Sequence, residues 1–186
     1  MKKLLWILPL CLLLISCGGE KKFTKEDLSV YDSVTKKTYY IGDTRERIES
    51  ILGEPEEESR LYGSVYQGLS VCYNTKDEVV AFNISSVKIP QESYGRFSVL
   101  NKISLGTPIT EATEKCKNRP FTIKKDELNV ILDEDFEVTT KEERTGDNWA
   151  DGLYVIKIWS VEDEDNPKAS LICLGTYKAV MHNNYQ

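Results

Sequence analysis

Ile41-Gly42-Asp43-Thr44-Arg45-Glu46-Arg47-Ile48-Glu49-Ser50-Ile51-Leu52-Gly53-Glu54-Pro55 reads as a strand end, a tight turn, a short helix and a hard stop. The Thr44 hydroxyl can cap the helix, and Ile48, Ile51 and Leu52 fall at i, i+3 and i+4 on one face. Gly53 can take the left-handed conformation that ends a helix, and Pro55 forbids its continuation. The stretch is echoed 64 residues on, from Leu105-Gly106-Thr107-Pro108-Ile109 to Asn118-Arg119-Pro120. There Leu105, Gly106, Ala112 and Cys116 answer Ile41, Gly42, Ile48 and Leu52, while Asn118 and Pro120 answer Gly53 and Pro55 with one extra residue. Lys115 against Ile51 is a mismatch. The pattern predicts two diverged copies of one unit.

Each helix is followed by strand signals. In the first copy Leu69 to Tyr73 alternates, Asn74 to Glu78 is a turn, and Val80 to Ile84 alternates again, a hairpin with one apolar face. Ile48, Ile51 and Leu52 would cover Leu69, Val71, Tyr73, Val80, Phe82 and Ile84. In the second copy the strands are Phe121 to Ile123, Leu128 to Leu132, Phe136 to Val138, Leu153 to Trp159 and Leu171 to Leu174, the last two apolar enough to be central. The expected fold is therefore α+β: two diverged repeats, each a short helical segment packed on an antiparallel β-sheet. The units run over residues 38–90 and 95–182. A charged insertion from Thr139 to Gly152 is peculiar to the second.

The N-terminus addresses the compartment. Lys2 and Lys3 form a positive n-region, Leu4 to Ile15 an apolar run broken by Pro9, and Leu14-Ile15-Ser16-Cys17 ends it. A run of about 12 residues is too short to cross roughly 30 Å of hydrocarbon as a helix. It resembles a bacterial lipoprotein signal, whose lipobox cysteine becomes the acylated first residue of the mature chain. The resemblance implies a signal peptide over 1–16 and lipidation at Cys17; the polar, aperiodic composition that follows reads as a tether over 17–37, with a first edge strand around Val30-Tyr31. With Gly18 rather than Asp after the cysteine, the resemblance implies the outer membrane where the source has one.

Processing removes Lys2 and Lys3 and takes the net charge from −6 to −8. An acidic body argues against nucleic acid and against electrostatic adhesion to anionic lipid, so acyl chains would have to hold the protein at its membrane. Cys72, Cys116 and Cys173 remain. Cys116 takes an inward helix position, Cys72 and Cys173 lie in strand-like runs and could form one disulfide, and the absence of CxxC argues against a thiol oxidoreductase.

No constellation demands catalysis. His182, the single histidine, sits in a polar C-terminal segment, and GxSxG, HExxH and phosphate-cradling glycine loops are absent. Asp147 to Gly152 places Trp149 where a calcium loop needs a carboxylate or amide. No metal or cofactor is expected. Among ten tyrosines, Tyr62, Tyr66 and Tyr94 lie in or near loops, and with Trp149 they are the candidate binding aromatics.

The unit Gly42, Thr44, Leu52, Gly53, Pro55 followed by a hairpin resembles the SmpA/OmlA family of small outer-membrane lipoproteins, and two copies resemble the β-lactamase inhibitory protein family. The likeness covers residues 38 to 86 and, more loosely, 98 to 180. It implies an α+β envelope lipoprotein that binds a protein partner through sheet and loops, without enzymatic activity. A carboxylate-dependent envelope hydrolase and a lipoprotein that captures a small ligand or lipid are the alternatives.

Overall fold

The computed structural model describes residues 21–59, 63–87, 89–100, 102–139, 151–160 and 165–182. The signal at 1–16 and Cys17 lie outside the described residues.

Two antiparallel sheets carry the molecule. The smaller is built from β1 (Ser29–Asp32), β2 (Lys37–Tyr40), β7 (Phe97–Val99) and β8 (Ile103–Ser104) in the order β2-β1-β7-β8. The larger contains β3 (Glu57–Ser59), β4 (Gly63–Tyr66), β5 (Leu69–Tyr73), β6 (Val79–Ser85), β9 (Thr122–Ile123), β10 (Glu127–Leu132), β11 (Tyr154–Trp159) and β12 (Leu171–Thr176). Its order is β3-β4-β5-β6-β12-β11-β10-β9. Two four-strand meanders thus meet where β6 pairs with β12.

Helix is scarce. Among the described residues the helices are α1 (Arg45–Leu52, 8 residues), α2 (Ile109–Lys115, 7 residues) and α3 (Tyr177–His182, 6 residues). The expected α+β fold of two helix-on-sheet repeats is therefore wrong: the protein is mostly β. Width explains the error. Eight strands spaced about 4.8 Å apart make a sheet about 34 Å across. An eight-residue helix is only about 12 Å long. The helices bury little: α1 fully buries Ile48, and α2 buries Ile109 and Ala112. The four-stranded sheet supplies the remaining cover. Val30, Tyr39, Phe97, Val99 and Ile103 join Leu69, Val71, Phe82, Ile84, Leu128, Val130, Ile156, Ile158, Ile172 and Leu174 in one continuous core.

Local signals act as their chemistry dictates. The Thr44 hydroxyl accepts from the Arg47 N–H (3.3 Å) at the start of α1, and Gly53 ends the helix at φ +83° with its N–H on the Glu49 carbonyl. In the β5–β6 turn the Asn74 side chain accepts from the N–H groups of Lys76 and Glu78. A bulge at Cys72/Tyr73 then sets Tyr73 opposite Val79. Consequently Val79 enters the main core, and Val80, expected there, is half-buried on the opposite face beside α3.

Residues 21–37 differ from the expected tether. Phe23, Leu28 and Val30 are core residues, and β1 is an interior strand of its sheet, flanked by β2 and β7, rather than an edge. Its last residue, Asp32, is fully buried. Arg96 grips it at both oxygens (3.3 and 3.2 Å), the Val34 N–H donates to it (2.8 Å), and so does the Tyr39 hydroxyl (3.2 Å). Burial pushes the Asp32 carboxyl up, but Arg96 and the backbone donor outweigh burial and hold it below the usual carboxylate range.

A depressed folded pKa makes this contribution fully present above the unfolded value of about 3.9 and lost as pH falls through the lower folded value. Asp32→Ala is expected to cost about 3–5 kcal/mol at pH 7 by urea unfolding, because the Arg96 charge loses its partner. Asp32→Asn is expected to flatten the loss of stability below about pH 4. Gly175, at φ +151°, has room for nothing larger: an added Cβ would lie 2.3 Å from the Val80 carbonyl oxygen. Gly175→Ala is expected to lower stability by about 1–3 kcal/mol.

Candidate functional site

The inner face of the large sheet is spent on the core, so recognition has the outer face available. Strand alternation assigns it. Because Leu128, Val130, Ile156, Ile158, Ile172 and Leu174 face inward, Glu127, Asn129, Val155, Lys157, Trp159, Leu171 and Cys173 face outward. On β6 and β5 the outward residues are Ala81, Asn83, Ser85, Ser70 and Cys72.

α3 covers one half of this face. Ala179 and Val180 pack on Cys72, Val80 and Ala81, while Tyr177 and Val180 pack with Leu153, Val155 and Ile131. Thr176 caps the helix, its hydroxyl accepting from the Ala179 N–H (3.4 Å). The sequence reading ends the last strand at Leu174, starts a polar segment at Met181 and assigns nothing between them. Thr176 was the available signal.

The other half is an amphipathic strip. Ser70, Asn83, Cys173, Lys157 and Asn129 stand side by side on β5, β6, β12, β11 and β10, about 19 Å across four strand spacings. Leu171, Trp159 and Glu127 form the adjacent row. Trp159 is half-buried and held in place: the Lys157 ammonium lies 4.4 Å over its ring and 3.6 Å from a Glu127 carboxylate oxygen. An indole gripped this way loses little entropy on binding a partner. Beside it, the Asn129 carboxamide oxygen is buried without a hydrogen-bond partner.

Trp159 and Lys157 are not among the expected binding residues because Leu153 to Trp159 reads as an apolar central strand. The period of two was legible nonetheless, with Val155, Lys157 and Trp159 alternating against Tyr154, Ile156 and Ile158. The residues expected to bind are elsewhere. Tyr66 is buried in the core at 4% exposure, and Tyr94 is half-buried against that core. Tyr62 and Trp149 lie outside the described residues, as does Cys17.

Tyr66 belongs to a structural cluster under α1. Arg45 stacks 4.2 Å over the Tyr73 ring and pairs with Glu58 and Asp77, each at 3.0 Å. Burial pushes both phenols up, and neither hydroxyl has a well-formed hydrogen bond. The groove beside them, lined by Thr44, Arg45, Glu46, Glu49, Ser50 and Asp77, has charges of both signs. It pins α1 to β3, β4 and β5.

The Cys72–Cys173 disulfide does not form. β6 stands between their strands, so the two α-carbons are separated by about two strand spacings, or about 10 Å, against a limit of about 7 Å. Burial pushes the Cys173 thiol up to about 12 and the Cys116 thiol to about 11. Compared with known proteins, the chain matches no family model, no curated protein and no solved structure.

Cys72, Cys116 and Cys173 are expected to resist iodoacetamide at pH 8 in the native domain and to react together on denaturation, with a melting temperature indifferent to reductant. Mass spectrometry of the alkylated peptides and a thermal melt check both.

Proposed function

We propose that this chain is a lipid-anchored protein of the bacterial cell envelope that binds a protein partner through the half of the outer sheet face left open by α3. The lipobox-like run ending at Cys17 supports the anchor. One observation carries the binding reading: a half-buried Trp159 clamped by Lys157 and Glu127 on the outer face beside Leu171. A preset aromatic flanked by an apolar side chain and charged groups suits a partner that brings apolar and hydrogen-bonding groups together, which a polypeptide does.

The structure gives hydrolysis little support. General acid catalysis needs a carboxyl raised toward neutrality, and among the described residues the fully buried carboxylate, Asp32 in the small sheet, is shifted the other way inside an ion pair. Glu127 on the open face is paired with Lys157.

The test places a photo-reactive amino acid at Leu171, the cross-strand neighbour of Trp159, in the full-length chain in its host cell. A discrete cross-linked partner is expected, reduced by at least about tenfold in capture when Trp159→Ala is introduced, as for a central aromatic worth about 1.4 kcal/mol or more. Cys17→Ala is expected to move the protein out of the membrane fraction. Equal capture by Trp159→Ala and the native chain would sink the face assignment while leaving the anchor intact.

A further inference from the structure

The chain is fastened to the body of the fold almost as soon as it leaves the anchor position. The Lys21 N–H donates to the Asn118 carbonyl (2.7 Å). Phe23, 5% exposed, meets Phe121 edge-on at 5.4 Å. Arg119, 7% exposed, lies 4.9 Å over the Phe23 ring and donates to Asp27 (2.8 Å). These contacts clamp residues 21–27 to the connection between α2 and β9.

Between Cys17 and Lys21 stand only Gly18, Gly19 and Glu20. Four steps of extended chain reach at most about 14 Å. If Cys17 is acylated, which is the reading proposed above, its α-carbon sits at the level of the lipid headgroups, a layer roughly 5–8 Å deep on each side of the hydrocarbon. The clamp then leaves no slack. Whatever edge of the fold adjoins Lys21 must lie on the membrane.

That edge is made by β9 and by the bridge of Val138 to Leu132, both on the same side of β10. Ile123 stands opposite Leu128 and Val138 opposite Leu132, about 13 Å apart along the strand. They are among the most exposed large apolar residues described, at 53% and 42%. Lys21 and Lys124 are exposed at this edge. The acidic groups are Glu137, neutralised by Lys22, exposed Asp126 in the turn after β9, and exposed Glu134 and Asp135 in the turn before Val138. Two apolar side chains flanked by ammonium groups suit a headgroup layer, where the chains dip in and the lysines meet phosphate.

We propose that the β9 edge, through Lys21, Ile123, Lys124 and Val138, is a membrane-contact surface for the phospholipid headgroups around the acylated Cys17, so that the large sheet stands upright on the bilayer. The net charge of −8 repels anionic lipid at long range, so the contact depends on the anchor holding the edge within a Debye length of about 8 Å. The sheet's stacking then puts β3 about 34 Å above β9 and holds Trp159, on β11, sideways in the lower half of the sheet.

The test uses the acylated full-length protein in vesicles of phosphatidylethanolamine and phosphatidylglycerol that contain a headgroup-bound quencher. A fluorophore is attached at Ile123→Cys on one edge or Glu57→Cys on the other. Mass spectrometry of the N-terminal peptide establishes acylation in the same sample. Several-fold stronger quenching at 123 than at 57 is expected. Acylated protein with equal quenching at the two edges would overturn the orientation and leave the anchor standing. An N-terminal peptide lacking acyl chains would overturn the anchor and the orientation with it.

Discussion

Every other feature of this fold depends on the pairing of β6 with β12. Ile84 stands opposite Ile172, 88 residues later in the chain, and the ladder runs from Ser85/Leu171 to Ala81/Gly175. Two four-strand meanders that would each expose an edge become one sheet about 34 Å wide. Such a sheet needs cover that short helices cannot give. The burial has to come from another sheet, which explains why residues 29–40 and 97–104, far apart in sequence, pair as β1 and β7. Loop closure over such separations is entropically costly, so the large apolar area buried in the shared core must offset it.

The small sheet needs its own fastening, because β1 and β7 pair over only two registered positions, Tyr31/Ser98 and Asp32/Phe97. The fully buried Asp32 with Arg96 supplies directionality there. An ion pair in that place adds little net stability relative to an apolar pair of the same shape, yet it penalises any register that separates its members. Arg96 also reaches Gln67 in the β4–β5 turn, tying the small sheet to the large one. At the opposite edge, Arg119 with Asp27 and Phe23 does comparable work for the N-terminal segment. Arginine suits both places, since its fork grips carboxylates and its plane lies on aromatic rings.

Occupancy of the sheet faces organises function. The inner face is filled by the core, α3 closes half of the outer face, and the remaining strip concentrates Trp159, Lys157, Asn129, Asn83 and Leu171. A position in mid-sheet is rigid, which keeps the side chains preorganised and lowers the cost of recognition. The edge strand β9 offers a different resource, a short apolar rim next to the point where the chain departs for its anchor.

The sequence by itself determined what short-range physics controls. Thr44, Gly53 and Pro55 bound α1, Asn74 shapes the β5–β6 turn, and the alternation in β5, β6, β10 and β11 assigns their faces. Each involves atoms within about four residues, or a period visible in one strand. The tertiary structure alone decided the rest. Nothing local in Val30 or Tyr39 shows that they cover a sheet that begins only at Glu57, and nothing in Cys72 and Cys173 shows that β6 will separate them. Tyr66 looked like a loop aromatic because its burial comes from the core that closes over it. Trp159 became a surface residue through the placement of α3, and the mostly β character arose because width, a property of eight strands together, outgrew the helices meant to cover them.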